Sequence, residues 1–292
     1  MKLVKPSFEI WNQPTGLEGI YKQIERAGRV CYKSEDKITE DSAKSFVDRM
    51  IKSGHGAMLE HGTVYLFCHT EEYVDSNGDV QYYNPLEKYQ NNKYSVLADS
   101  DEGMYVTTNL RVLVENNWLD DLKYLCGPTE YHEKRITVHF VCDRGVSHEF
   151  VRHRVMSFAQ ESTRYCNYSK GKFGEELTFI QPLWLDEELL KSYGSYHTVT
   201  RSKSPESIFI ANLNNAENDY MDLIELGWKP QEARAILPNS LKTELVVTGF
   251  VFDWNHFFDL RARGTTGAPH PQAKELAEPL MKEFIARKYI NN

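Results

Sequence analysis

Arg152, His153 and Arg154 stand side by side, and seven residues later come Ser162, Thr163 and Arg164, so anion-binding groups concentrate in one short stretch. Two hydroxyls, a guanidinium and free backbone N–H groups are what a phosphate monoester asks for. Gln160 adds an amide able to read a sugar hydroxyl or a base edge. Successive residues of a helix point roughly 100° apart, so on a continuing helix Arg152, His153 and Arg154 cannot all face one ligand. They suit a junction between two bound molecules. Ser162 has no base fixed beside it by the sequence, and an unactivated hydroxyl is a weak nucleophile, which favours substrate positioning. A bare Arg-His-Arg tripeptide would more often be a solvated basic face, and a Ser-Thr pair a helix cap.

The elements that must hold these groups can be read from periodicity. Ala43, Phe46, Val47, Met50 and Ile51 recur at helical spacing within Thr39 to Gly54, with Thr39 as the start cap and Gly54 as the end. Gly62 to Thr70 and Arg135 to Asp143 are rich in β-branched and aromatic residues at strand length, and the expectation is that these two strands pair. Between them, Glu71 to Lys134 is polar and aromatic, with a hairpin-like turn at Asp75 to Asp79 and a helix around Leu110 to Asn117; it reads as an insertion. Gly145 to Arg154 resumes helical spacing. Ser204-Pro205 starts a long helix that Gly227 closes, and Pro271 to Tyr289 forms another.

Composition bounds the rest. The 292 residues allow one elaborated domain, and 41% hydrophobic with 26% charged residues is ordinary for a globular chain. No apolar run reaches membrane-spanning length, and nothing near Met1 resembles a signal peptide. Five scattered cysteines without a C-x-x-C pair argue against a disulfide framework or a zinc site and fit a reducing cytoplasm. A net charge of −8 disfavours generic nucleic-acid binding and makes any anion site local.

Arg-His-Arg, seven residues and then Ser resembles the signature of flavin-dependent thymidylate synthases, and Ser157, Arg164 and Tyr165 fit its extended form. Further segments resemble that family in the same order. Gly54 to His61 resembles its flavin-contacting loop. Ala233 to Pro238 resembles the segment whose arginine reaches a neighbouring subunit's nucleotide. Asp253 to Arg261 and His270-Pro271-Gln272 resemble the segments carrying a nucleotide-activating arginine and further flavin contacts. Many members have Asn-Glu where this chain has Ala159-Gln160, and the insertion at 71–134 is larger than usual.

The resemblance implies reductive methylation of dUMP to dTMP, with 5,10-methylenetetrahydrofolate as carbon donor, NADPH-reduced FAD as hydride source and tetrahydrofolate as product. It assigns Arg261 as the catalytic charge stabiliser. Arg152, Gln160, Ser162, Arg164, Arg261 and, from a partner subunit, Arg234 would bind dUMP. His55, Arg152, His153, Arg154, His256 and His270 would contact FAD, with no metal. The expected fold is α/β in the α+β sense, a twisted, mostly antiparallel sheet packed by helices plus a helical subregion. One domain over 1–292 would carry the 71–134 insertion and assemble as a homotetramer with active sites between subunits.

Rival readings are weaker. No cysteine follows a proline, as the nucleophile of cysteine-dependent thymidylate synthases does, and no G-x-G-x-x-G or P-loop marks a dinucleotide-binding oxidoreductase. Seventeen tyrosines could stack bases in a nucleic-acid module, but no basic stripe accompanies them. A structural protein with a degenerate site is disfavoured by the intact charged and hydroxyl positions of the motif.

Overall fold

The computed structural model describes residues 1–171, 174–193 and 195–291. Along the chain come β1 (Lys2–Val4), β2 (Ser7–Trp11), α1 (Gly16–Tyr32), α2 (Ser42–Lys52), α3 (Gly56–Leu59), β3 (Thr63–His69), β4 (Glu71–Val74) and β5 (Val80–Tyr83). Then follow β6 (Val96–Asp99), β7 (Gly103–Asn109), α4 (Leu110–Glu115), β8 (Arg135–Asp143), α5 (Arg144–Phe150), β9 (Ser157–Gln160) and β10 (Thr178–Ile180). The last elements are α6 (Glu187–Ser192), α7 (Pro205–Glu225), α8 (Pro230–Ala233), β11 (Lys242–Phe250), α9 (Val251–Phe258) and α10 (Pro271–Ala286).

The sheet that matters for the site has the order β2-β8-β11-β9 and is antiparallel throughout. Side chains alternate across a strand. One face carries Val138, Phe140 and Val247 into a core with Phe150, Trp254, Phe257 and Phe284, so α5, α9 and α10 cover it. Trp11, Ala159 and Val246 turn to the opposite face and meet Ala27 and Val30 of α1. A second antiparallel sheet, β3-β7-β6, packs with α1, α2 and α4 around Ile24, Phe46, Val64 and Val106. The mostly antiparallel, helix-packed architecture expected from the sequence is therefore what forms. The short parallel pair of β1 with β10 departs from it.

The expected pairing of the strands at 62–70 and 135–143 does not form. β3 pairs with β7, register Thr63 to Asn109, and β8 pairs with β2 and β11. Strand-like composition marks both segments but does not choose their partners, and the intervening 71–134 stretch supplies its own buried strand, β7, as the nearer antiparallel neighbour. The Asp75 to Asp79 turn does close a hairpin, β4 with β5. α2 begins at Ser42 after Asp41 rather than being capped by Thr39, because the Ser42 hydroxyl folds back to the Thr39 backbone. Gly54 stands at φ +69, as a helix end requires. The Ser204 hydroxyl caps α7 through Ser207 N–H, and Gly227 at φ +96 closes it.

Candidate functional site

α5 starts where the Asp143 carboxylate accepts Val146 N–H at 2.6 Å, and it stops at Phe150. Arg152, His153 and Arg154 therefore lie in the turn beyond it, not on a continuing helix. Freed from helical spacing, His153 turns inward to 4% exposure while Arg152 and Arg154 stay exposed. The His153 ring meets Phe257 edge-on at 4.9 Å and His256 at 5.9 Å. Burial first, and then the charges of Arg261 and His256, lower its pKa to about 4, so the imidazole is neutral.

Arg261 is delivered to this ring by an unusual turn. α9 runs on into a π-helical turn, Asp259–Arg263, that ends at Gly264 with φ +71. A Cβ at Gly264 would meet the Gly267 carbonyl and the Pro269 ring at 3.0 Å, so this reversal needs glycine. Arg261 Nε donates to His153 Nε2 at 3.1 Å, Nη1 to Glu149 Oε2 at 2.6 Å and Nη2 to the Glu149 carbonyl at 3.0 Å. Three of its five N–H donors are thereby engaged.

The second group gathers beyond β9. Ser162 N–H bonds to the Cys31 carbonyl at 3.0 Å, fixing the loop to the end of α1, and Tyr165 packs on Tyr32 at 5.3 Å. Arg164 Nε donates to Gln231 at 3.3 Å and Arg234 Nη1 to Thr163 Oγ1 at 3.4 Å, so Arg234 reaches this loop within its own chain. Gln160, still on β9, donates to Ser147 at 2.8 Å and to Thr243 at 3.3 Å. Among the described residues no carboxylate lies within ion-pair distance of Arg152, Arg154, Arg164 or Arg234. Unpaired guanidiniums of this kind suit phosphate.

The other two expected residues make no contact with His153 or Arg261 among the described residues. His55 lines a hollow of about 360 Å³ with Cys31, Tyr32 and Met58, which places it near the Ser162 loop through the end of α1. His270 is exposed at the start of α10 and meets Trp184 at 6.1 Å. Among the described residues no group of three or more His, Cys, Asp or Glu could hold a metal ion.

Residues 128–287 match the family described as thymidylate synthase complementing protein. The chain belongs to that family. The matched stretch holds every candidate residue except His55. The chain is 30% identical over 149 residues to a flavin-dependent thymidylate synthase of Pyrococcus horikoshii, covering 51% of this chain and 54% of that one. It is 24% identical over 282 residues to one of Corynebacterium aurimucosum, covering 93% and 78%. It thus spans about half the length of the first of these curated relatives. A UMP/dUMP methylase of Streptomyces cacaoi superposes with a TM-score of 0.44 at 16% identity, over 98% of this chain and 92% of that one.

Around the thymidylate synthase complementing motif the structure adds residues that the sequence did not single out. Glu161, just before Ser162, accepts Lys242 Nζ at 2.9 Å and the Tyr168 hydroxyl at 3.0 Å. Lys242 also bonds Glu244 at 2.6 Å, and Glu244 in turn pairs with Lys33 and with His139 at 2.9 Å. Burial alone would raise the Glu244 pKa, but His139, Lys242 and Lys33 together hold it well below the usual carboxylate range. Lys242 and Glu244 sit two apart on β11, so the strand period alone puts them on one face, and that spacing was the available signal. Glu149 carried none.

Proposed function

We propose that this chain is a flavin-dependent thymidylate synthase that methylates dUMP reductively to dTMP. One observation carries the reading. His153 is buried and neutral, its Nδ1 has no hydrogen-bond partner among the described residues, and its neighbours in sequence, Arg152 and Arg154, have no carboxylate within ion-pair distance there. An orphaned donor next in sequence to two cations without carboxylates fits a polar, phosphate-bearing cofactor such as FAD. Arg152, His153, Arg154 and His256 would hold it, with His55 and His270 completing the contacts.

FAD held by these residues and reduced by NADPH would supply the hydride, and 5,10-methylenetetrahydrofolate the carbon, for conversion of dUMP to dTMP with release of tetrahydrofolate. The chain's own residues position the nucleotide. Ser162, Arg164 and Arg234 present two guanidiniums and a hydroxyl to the dUMP phosphate, with Arg152 shared between nucleotide and flavin. Gln160, anchored by Ser147 and Thr243, reads the sugar or the base edge. Arg261 keeps two N–H donors for the pyrimidine, where a permanently charged, planar group stabilises negative charge as C5 becomes nucleophilic.

Neither His55 nor His270 contacts His153 among the described residues, which supports sites assembled between subunits of a homotetramer. The chain is read as one domain, 1–292, with 71–134 inserted, and its place as the cytoplasm. No helix among the described residues is long and apolar enough to cross a membrane. The test is optical. Purified protein with FAD is reduced anaerobically by NADPH, then given dUMP and methylenetetrahydrofolate. Flavin reoxidation coupled to dTMP is the expected result, and failure to bind flavin overturns the reading.

A further inference from the structure

A hollow of about 270 Å³ lies between the connection Trp11 to Gly16, β3 and the start of β8, and no residue of the two basic groups lines it. Its lining includes Tyr65 and Tyr289, with Lys134 and Arg135 supplying positive charge, while the Trp11 ring beside it is stacked on His139 at 5.0 Å and covered by Arg26. Arg135 is the informative member. Nη1 donates to Thr63 Oγ1 at 3.3 Å and Nη2 to the Glu60 carbonyl at 3.1 Å, which leaves each with a second N–H, while Nε is closed off from solvent and has no partner among the described residues.

Among the described residues no carboxylate comes within ion-pair distance of Arg135. Two carboxylates whose fields reach it are committed elsewhere, Glu60 to Arg111 at 2.5 Å and Asp253 to the Phe250 N–H at 3.2 Å. Burial pulls the Arg135 pKa down to about 10, which records a cation held without its counter-ion. Such a group is costly unless an anion meets it. Lys134 adds a second cation, 5.7 Å from the Tyr289 ring. The volume is near the lower end for small-molecule sites and holds one ring.

We propose that this hollow is a binding site for a small planar-ring carboxylate, its carboxylate on Arg135 and its ring against Tyr65 and Tyr289. The site is separate from the thymidylate synthase chemistry and does not rest on it. Full-length protein is titrated calorimetrically with benzoate and, in parallel, with acetate. Benzoate binds with a millimolar or tighter Kd, and acetate at least about tenfold more weakly because it lacks the ring.

Arg135→Gln weakens benzoate about tenfold or more through loss of the charged bond. Thr15→Trp, at the exposed rim, blocks the hollow without touching Arg135 and abolishes binding while circular dichroism stays unchanged. Absence of benzoate heat in the wild type, or equal affinity in wild type and Thr15→Trp, overturns the proposal. Equal affinity for acetate and benzoate overturns the aromatic part of it. Because the readout is binding heat and not dTMP, failure here leaves the proposed activity standing.

Discussion

Arg261 Nε donates to His153 Nε2 at 3.1 Å, and this single bond settles the state of the imidazole. An accepting Nε2 carries no proton, so the proton of the neutral ring sits on Nδ1, the atom left without a partner. The arginine thus orients a donor and keeps two N–H groups of its own for a ligand. One contact joins the residue proposed to face the flavin to the residue proposed to face the nucleotide.

On the proposed function, replacing Arg261 with alanine removes charge stabilisation without removing the fold. Arg261→Ala should bind FAD largely as the wild type does, by visible absorbance, while dTMP formation drops about 10²- to 10³-fold. Wild-type turnover in that variant would sink the assignment.

The two basic groups should separate by ligand. Arg154→Ala is expected to weaken FAD by roughly tenfold while leaving dUMP binding nearly unchanged. Arg164→Ala and Arg234→Ala should do the reverse, raising the dUMP KM by a similar factor with FAD titrations unaltered. Identical losses of both ligands in all three variants would mean a single shared site.

Acid stability should fall earlier than carboxylate chemistry alone would give. His61, buried and hydrogen-bonded to Thr248 at 2.8 Å, has its pKa lowered from 6.5 to about 3, chiefly by burial. The folded state refuses a proton that the unfolded chain accepts below pH 6.5. Stability from this group is therefore complete above 6.5 and lost as pH falls toward 3, at up to about 1.4 kcal/mol per pH unit. His153 acts in the same direction between 6.5 and about 4. Melting curves from neutral to acid pH should flatten in His61→Gln; an unchanged slope would contradict this account.

Lys242→Met should be among the more damaging single changes outside the ligand contacts. It strands Glu161 with only Tyr168 and leaves Glu244 to Lys33 and His139, at a cost of about 3 kcal/mol in urea unfolding. A loss within measurement error would show that the remaining partners suffice.

Local chemistry was the legible part of this chain. α7 could be bounded from Ser204, Pro205 and Gly227 because caps and breakers act on their immediate neighbours. The hairpin at Asp75 to Asp79 was legible for the same reason. The partner of β3 was not, since alternation marks a strand and not its neighbour. Glu149 escaped notice because its meaning lies in Arg261, 112 positions away, and Glu161 because Lys242 is 81 positions away. The arginines, histidines and serine were named from a motif, and their divergence was read from helical spacing, whereas α5 ends at Phe150 and a turn spreads them instead.

β9 separates the two basic groups, with Arg154 before it and Ser162 after it, and it does so as a gauge of fixed length. At about 3.3 Å per residue, its four residues set a spacing of roughly 13 Å, pinned to β11 from Ser157 opposite Thr248 to Gln160 opposite Leu245. Adding or removing one residue would turn Gln160 to the other face as well as altering that distance. The strand is therefore less free to vary in length than the loops around it, because it measures how far Ser162 lies from Arg154.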